Sequence, residues 1–248
     1  MSRMIARWGW LALGLVSLAG CDRAGDHDRT STGDGDLGAA RDVGAAAPAN
    51  RPPAPPTGAR VVFLGTSLTA GLDLDPDQAY PALIQRKLDS AGLALTAVNA
   101  GVSGETSAGA LRRMDWLLRE PVKVLVIETG ANDMLRGLDP DSLEANIQAM
   151  IDRARRQAPP PEVVLLGMQA LPNYGQAYAR RFNAVYPALA RRNDVPLVPF
   201  LLQGVAGVDS LNQADLMHPT AAGQRRVAAT VWPELERVLR TGSGRGSR

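Results

Sequence analysis

Cysteine and histidine are nearly missing from this sequence. Of 248 residues, one is Cys (Cys21) and two are His (His27 and His218). A lone thiol excludes an internal disulfide, a Cys-rich zinc site and a Cys-x-x-Cys redox motif. His27 lies in a low-complexity stretch, so any imidazole chemistry in a folded domain falls to His218. No Asp-rich loop of the calcium-binding kind is visible, and neither a metal nor another cofactor is expected. Aromatic residues make up only 4% of the chain, and no basic stripe carries interleaved aromatics. That pattern argues against a nucleic-acid partner. Charge of either sign is close to balanced, with 27 basic against 25 acidic residues, and Arg3 and Arg7 account for the difference.

What is present begins with an address. Arg3 and Arg7 precede an apolar run from Trp8 to Leu18, which is followed by small residues and Cys21. This is the order of a secretory signal, and the run is too short to span a bilayer stably. Leu18-Ala19-Gly20-Cys21 resembles the lipobox of bacterial lipoproteins. The resemblance implies removal of residues 1–20, acylation of Cys21 and a periplasm-facing anchor in the bacterial envelope, with the choice of inner or outer membrane open. An ordinary secretory signal is the alternative. Residues 22–57 are rich in Gly, Ala, Asp and Pro and hold almost no large apolar side chain. Such a segment buries too little surface to offset its ordering entropy. Residues 21–57 are thus expected to be the lipidated Cys and a disordered tether reaching roughly 30–36 Å. Residues 241–248 are expected to be a second disordered tail. Between them, residues 58–240 suffice for one domain with a substantial core.

Within that domain, continuous apolar runs end near small residues. Val61-Val62-Phe63-Leu64, Val124-Leu125-Val126-Ile127 and Val163-Val164-Leu165-Leu166 are clear, Leu197-Val198 is short, and Leu93–Asn99 is weaker. Unbroken runs suit strands whose sheet is covered on both faces. Helical spacing marks Tyr80–Ala91, Ala108–Leu118, Asp141–Gln157, Tyr174–Arg191 and Pro219–Leu239, with the Met and aromatic positions read as packing. Pro219 suits a first helical turn, and Pro233 is expected to kink or split the last helix. Alternation of strand and helix predicts a three-layer α/β/α sandwich around a mostly parallel, flavodoxin-like sheet.

Ligands of open parallel sheets bind beyond the carboxyl ends of the strands. Ser67, Gly101 and Asn132 each follow a predicted strand, and His218 comes after the last one. A serine hydroxyl is a weak nucleophile and needs a neighbouring base, for which His218 is the one candidate. Asp215, three residues earlier, can hold the imidazole in one tautomer. The backbone N–H groups of Ser67 and Gly101 and the side-chain amide of Asn132 are the expected hydrogen-bond donors to the oxyanion. Met134, Leu135, Leu171, Pro172 and Met217, apolar and close to the strand ends, are the expected substrate pocket. Asp133 is read as structural support pairing with Arg136, and Glu105 and Glu128 are likewise read as structural.

Four strings carry a resemblance over about residues 60–239: Gly65-Thr66-Ser67-Leu68, Asn99-Ala100-Gly101, Gly130-Ala131-Asn132-Asp133 and Asp215-Leu216-Met217-His218-Pro219. Together and in this order they resemble the blocks of the SGNH (GDSL-type) hydrolases. Gly71, Gly104-Glu105-Thr106 and Pro172-Asn173-Tyr174-Gly175 are most similar to the thioesterase I, lysophospholipase and arylesterase branch. The resemblance implies a serine esterase acting through an acyl-Ser67 intermediate on small esters or thioesters, with Leu171-Pro172 lining the acyl pocket. Thr66 stands where that family usually has Asp, and Ala131 where it often has Gly. A carbohydrate O-deacetylase or acyltransferase of the same chemistry is the first alternative. A non-catalytic envelope lipoprotein is the second.

Overall fold

The apolar runs become strands because both their faces find cover. The computed structural model describes residues 59–242. The expected signal peptide, Cys21, the tether and the tail from residue 243 lie outside the described residues. Strands β1 (Ala59–Gly65), β2 (Leu95–Gly101), β3 (Val122–Glu128), β4 (Glu162–Leu166) and β5 (Leu197–Val198) form one sheet in the order β2-β1-β3-β4-β5. Every pairing is parallel. The side chains of Val61 to Leu64 and of Leu125 to Ile127 are all at most 1% exposed. Each contributes about 2 kcal/mol of burial energy.

Helices α2 (Tyr80–Ser90) and α7 (Ala221–Gly242) pack together, as do α3 (Ser107–Leu117), α5 (Pro140–Arg155) and α6 (Gln176–Asn193). The stripes are the reason. Ile84 and Leu88, Leu143 and Ile147, Phe182 and Leu189, and Val231 and Leu235 recur one helical turn or two apart and are all fully buried. Two further helices, α1 (Ser67–Ala70) and α4 (Ala131–Leu135), span only four and five residues. They are too short for a periodic signal.

Five sequence expectations change. The edge strand β2 starts at Leu95 and takes in Gly101, because its register is set by pairing Gly65 with Gly101 and its side chains are only half-buried. Trp116 is 65% exposed, and Leu117 takes the buried position beside it. Pro233 lies inside an unsplit α7. The last helix begins at Ala221, not at Pro219. Pro219 instead bridges Asn212, and the Thr220 hydroxyl accepts from the Gly223 N–H. Helix α7 also carries Thr241 and Gly242 beyond the expected end of the domain.

The chain reverses direction across the sheet between β1 and β3. Their carboxyl ends therefore diverge into loops on opposite faces and leave a crevice. Ser67 follows β1 by two residues, and Asn132 follows β3 by four.

Candidate active site

Ser67 opens α1, so its N–H has no acceptor within that helix. Gly71 ends α1 in the left-handed region at φ 74°, and its Cα faces Ala79 so closely that an added Cβ would stand 2.7 Å from the Ala79 Cβ. The turn therefore needs glycine. The Ser67 Oγ lies 2.8 Å from the Nε2 of His218, across 151 residues of chain. The other ring nitrogen, Nδ1, lies 2.5 Å from the Asp215 Oδ2. The Asp215 Oδ1 accepts from the backbone N–H groups of Met217 and His218 at 2.9 and 3.0 Å. These bonds hold Leu216 at φ 57°, a conformation a branched side chain ordinarily avoids. Its bonds to His218, side chain first and then backbone, together with that from Met217, bring the Asp215 carboxyl down to about 2.

The His218 loop is tied to the body of the domain. The Gln213 N–H donates to the His218 carbonyl at 2.7 Å, and the Gln213 side chain donates to the Leu72 and Pro219 carbonyls. A serine, an imidazole and a carboxylate thus form one hydrogen-bonded line. It can carry a proton away from the hydroxyl as a new bond forms at Oγ.

The donors for developing negative charge divide differently from the sequence expectation. Gly101 lies in β2, and its N–H donates to the Asn99 Oδ1 at 3.0 Å. It is also packed under α1, where a Cβ would meet the Ala70 backbone nitrogen at 2.2 Å. Gly101 is therefore a close-packing glycine and does not line the cavity at Ser67. Gly104, three residues on, does line it, at φ 77°. Among the described residues the Gly104 N–H has no acceptor, and its carbonyl accepts from Arg136 at 2.8 Å. The signal for Gly104 was present in the Gly-Glu-Thr string, but strand ends alone do not distinguish it from Gly101. Asn132 lines the same cavity and donates one amide hydrogen to the Glu105 carbonyl at 3.1 Å. An amide has a second hydrogen to give.

Supporting acids hold these groups in place. Asp133 does not pair with Arg136. Buried at 3% exposure, it accepts from the Ser107 N–H at 2.8 Å and the Ser107 hydroxyl at 2.5 Å, which docks α4 onto α3. Glu105 accepts from Arg113, whose guanidinium also reaches the Gly65 and Ala100 carbonyls at the ends of β1 and β2.

Ser67 and His218 open onto a cavity of about 350 Å³, whose wall is mostly apolar. Met134, Leu135, Leu171 and Met217 line it, together with Leu68, Leu72, Met168, Phe200, Leu202 and Leu216. Ala131 also faces it. The Pro172 side chain lies outside the described part. Leu68 follows the nucleophile on α1 and Leu72 lies just past that helix, while Phe200 and Leu202 follow β5. Their approach depends on chain paths that spacing does not encode. Among the described residues no three His, Cys, Asp or Glu side chains converge as a metal site.

Sheet order and site together define a serine hydrolase built on a flavodoxin-like parallel sheet. The chain belongs to the GDSL-like Lipase/Acylhydrolase family, which it matches over residues 63–226. It is 44% identical over 180 residues to Esterase TesA of Pseudomonas aeruginosa, covering 72% of this chain and 89% of that one. Against the Arylesterase of Vibrio mimicus it is 34% identical, covering 73% and 90%. Against the Thioesterase 1/protease 1/lysophospholipase L1 of Escherichia coli K12 it is 33% identical, covering 72% and 84%. The crystal structure of TesA superposes with a TM-score of 0.69 at 43% identity, over 72% of this chain and 99% of that chain. The esterase EstA from a Pseudoalteromonas species, solved with monoethylphosphonate as inhibitor, gives 0.68 at 31% identity over 73% and 98%.

Proposed function

We propose that this hydrolase cleaves small carboxylic esters and thioesters through an acyl-Ser67 intermediate. The observation that carries the reading is the line from Ser67 Oγ through His218 to Asp215, at 2.8 and 2.5 Å. His218 takes the hydroxyl proton as Oγ bonds to the carbonyl carbon, then gives it to the departing alcohol or thiol. A water, deprotonated by the same ring, releases the acid and restores the serine. The N–H groups of Ser67 and Gly104 and the second Asn132 amide hydrogen receive the oxyanion, with Gly104 in the role first expected of Gly101. The apolar wall suits an acyl or aryl group better than a glycan, which favours esterase chemistry over sugar deacetylation.

A fluorophosphonate probe followed by peptide mass spectrometry tests the nucleophile. The adduct is expected on Ser67, and an adduct elsewhere overturns the assignment. Asn132→Ala is expected to lower kcat about 10²–10³-fold with KM little changed, the usual effect of losing one oxyanion donor. A change confined to KM would make Asn132 a substrate-binding group instead.

The envelope address rests on residues 1–21. In a bacterial host the full chain is expected to incorporate labelled palmitate and to sediment with membranes. Cys21→Ser removes both properties. Unlabelled wild-type protein released as a soluble form would instead indicate an ordinary secretory signal.

A further inference from the structure

The catalytic line leaves one buried acid unused. Glu128, the last residue of β3, is fully buried, and no Lys or Arg forms an ion pair with it among the described residues. Its Oε2 accepts from the Thr66 N–H at 2.7 Å and from the Thr69 hydroxyl at 2.9 Å. Both of its oxygens lie 3.0 Å from the Thr66 hydroxyl. The Thr69 hydroxyl in turn shares a 2.8 Å bond with the Tyr80 hydroxyl. Burial pushes the Glu128 carboxyl upward, and the bonds from Thr66 and Thr69 oppose that shift. Tyr80 and Tyr186 are the titratable groups that feel its charge, and burial raises both. Gly65 leaves the space for this arrangement. A Cβ there would stand 2.0 Å from the Thr69 Oγ1 and 2.7 Å from the Glu128 Oε2.

Thr66 and Thr69 flank Ser67. One carboxyl from a different strand thus grips the residue before the serine by both backbone and side chain, and the residue two after it by side chain. The Ser67 backbone cannot turn without breaking these bonds inside a site that water does not reach. Bonds of this kind are strengthened by the acceptor's charge and by low local polarity.

We propose that Glu128 is a positioning residue for the nucleophile, acting through Thr66 and Thr69 to keep the Ser67 hydroxyl aimed at His218 and its N–H aimed at the oxyanion. The inference rests on Ser67 being the nucleophile. Glu128→Gln presents an amide N–H₂ where two or three donors already point, so the grip loosens with little change in volume. Thr66→Val removes the hydroxyl bond while keeping the shape.

The test uses the full chain, folded fraction checked by circular dichroism and active sites counted by exhaustive probe labelling. Per folded molecule, Glu128→Gln is expected to lower kcat and the fluorophosphonate labelling constant together by about 10–100-fold, the range that a displacement of about an ångström produces. KM stays within about two-fold. Thr66→Val is expected to lower both by a smaller factor, and Thr66→Ser to recover most of that loss. The double variant is expected to lose little more than Glu128→Gln alone, because both changes release the same bonds. Loss of thermal stability with an unchanged labelling constant, or losses that multiply in full in the double variant, overturn the inference and leave Ser67 as nucleophile. An adduct on another residue of the unaltered chain overturns the nucleophile assignment and this inference with it.

Discussion

Ser67→Ala is expected to reduce kcat on any ester by about 10⁵–10⁶-fold and to abolish fluorophosphonate labelling, the scale of loss when a triad serine is removed. The reason is local. Without Oγ, His218 has no proton to accept at 2.8 Å, and only direct attack by water remains. Substrate binding depends on the apolar cavity, so KM, where turnover can still be followed, is expected to stay within a few-fold. A residual rate above about a hundredth of the original would mean that another group carries the covalent step, since the remaining donors and binding alone supply far less.

Asp215→Asn is expected to lower kcat by about 10⁴-fold, the consequence of losing control over the imidazole tautomer. Asp215 gives His218 an acceptor at Nδ1, which leaves Nε2 free to take the serine proton. An asparagine amide can donate at that position and so place the proton on the wrong nitrogen. The same carboxylate accepts from two backbone N–H groups, so the substitution also loosens the Leu216 turn. The stability effect follows the sign of the shift. The folded carboxyl, at about 2, lies below its unfolded value near ~4. Its stabilising contribution is therefore complete above the unfolded value and disappears as pH falls through about 2. The side chain is 38% exposed, so solvent screens this contribution and it is small. Melting temperatures of the two proteins should differ at pH 5 and converge near pH 2. A difference that stays constant over this range would assign the loss to packing instead of charge.

The layered α/β plan could be read from patterning alone. Uninterrupted apolar runs such as Val61–Leu64 have a use only where both sheet faces are covered, and the stripe Val227, Val231, Leu235 fits a helix laid on that sheet. The same logic fails where burial is partial. β2 is an edge strand whose side chains are half-exposed, so composition placed both its start and its end two residues too early. That error carried into the oxyanion assignment, because Gly101 falls inside the strand and Gly104 beyond it. Trp116 shows a second limit. A large apolar side chain at helical spacing is not thereby buried, since the width of the covered stripe depends on which neighbour arrives.

The residue types at Ser67, His218, Asp215 and Asn132 determined by themselves what chemistry the chain has to offer: one hydroxyl, one imidazole, one acid and one amide, with no second histidine among the described residues. Tertiary structure alone decided which of several glycines and acids serve that chemistry. Glu128, Asp133 and Glu105 are all acids near strand ends or loops, and nothing in their spacing separates them. Only the folded chain shows Asp133 fastening Ser107, Glu105 fastening Arg113, and Glu128 gripping Thr66 and Thr69 on either side of the nucleophile. The physical reason is that hydrogen bonds and charge act over a few ångströms. Asp133 and Glu128 stand 26 to 62 residues from their partners and meet them only once strand order and register are set.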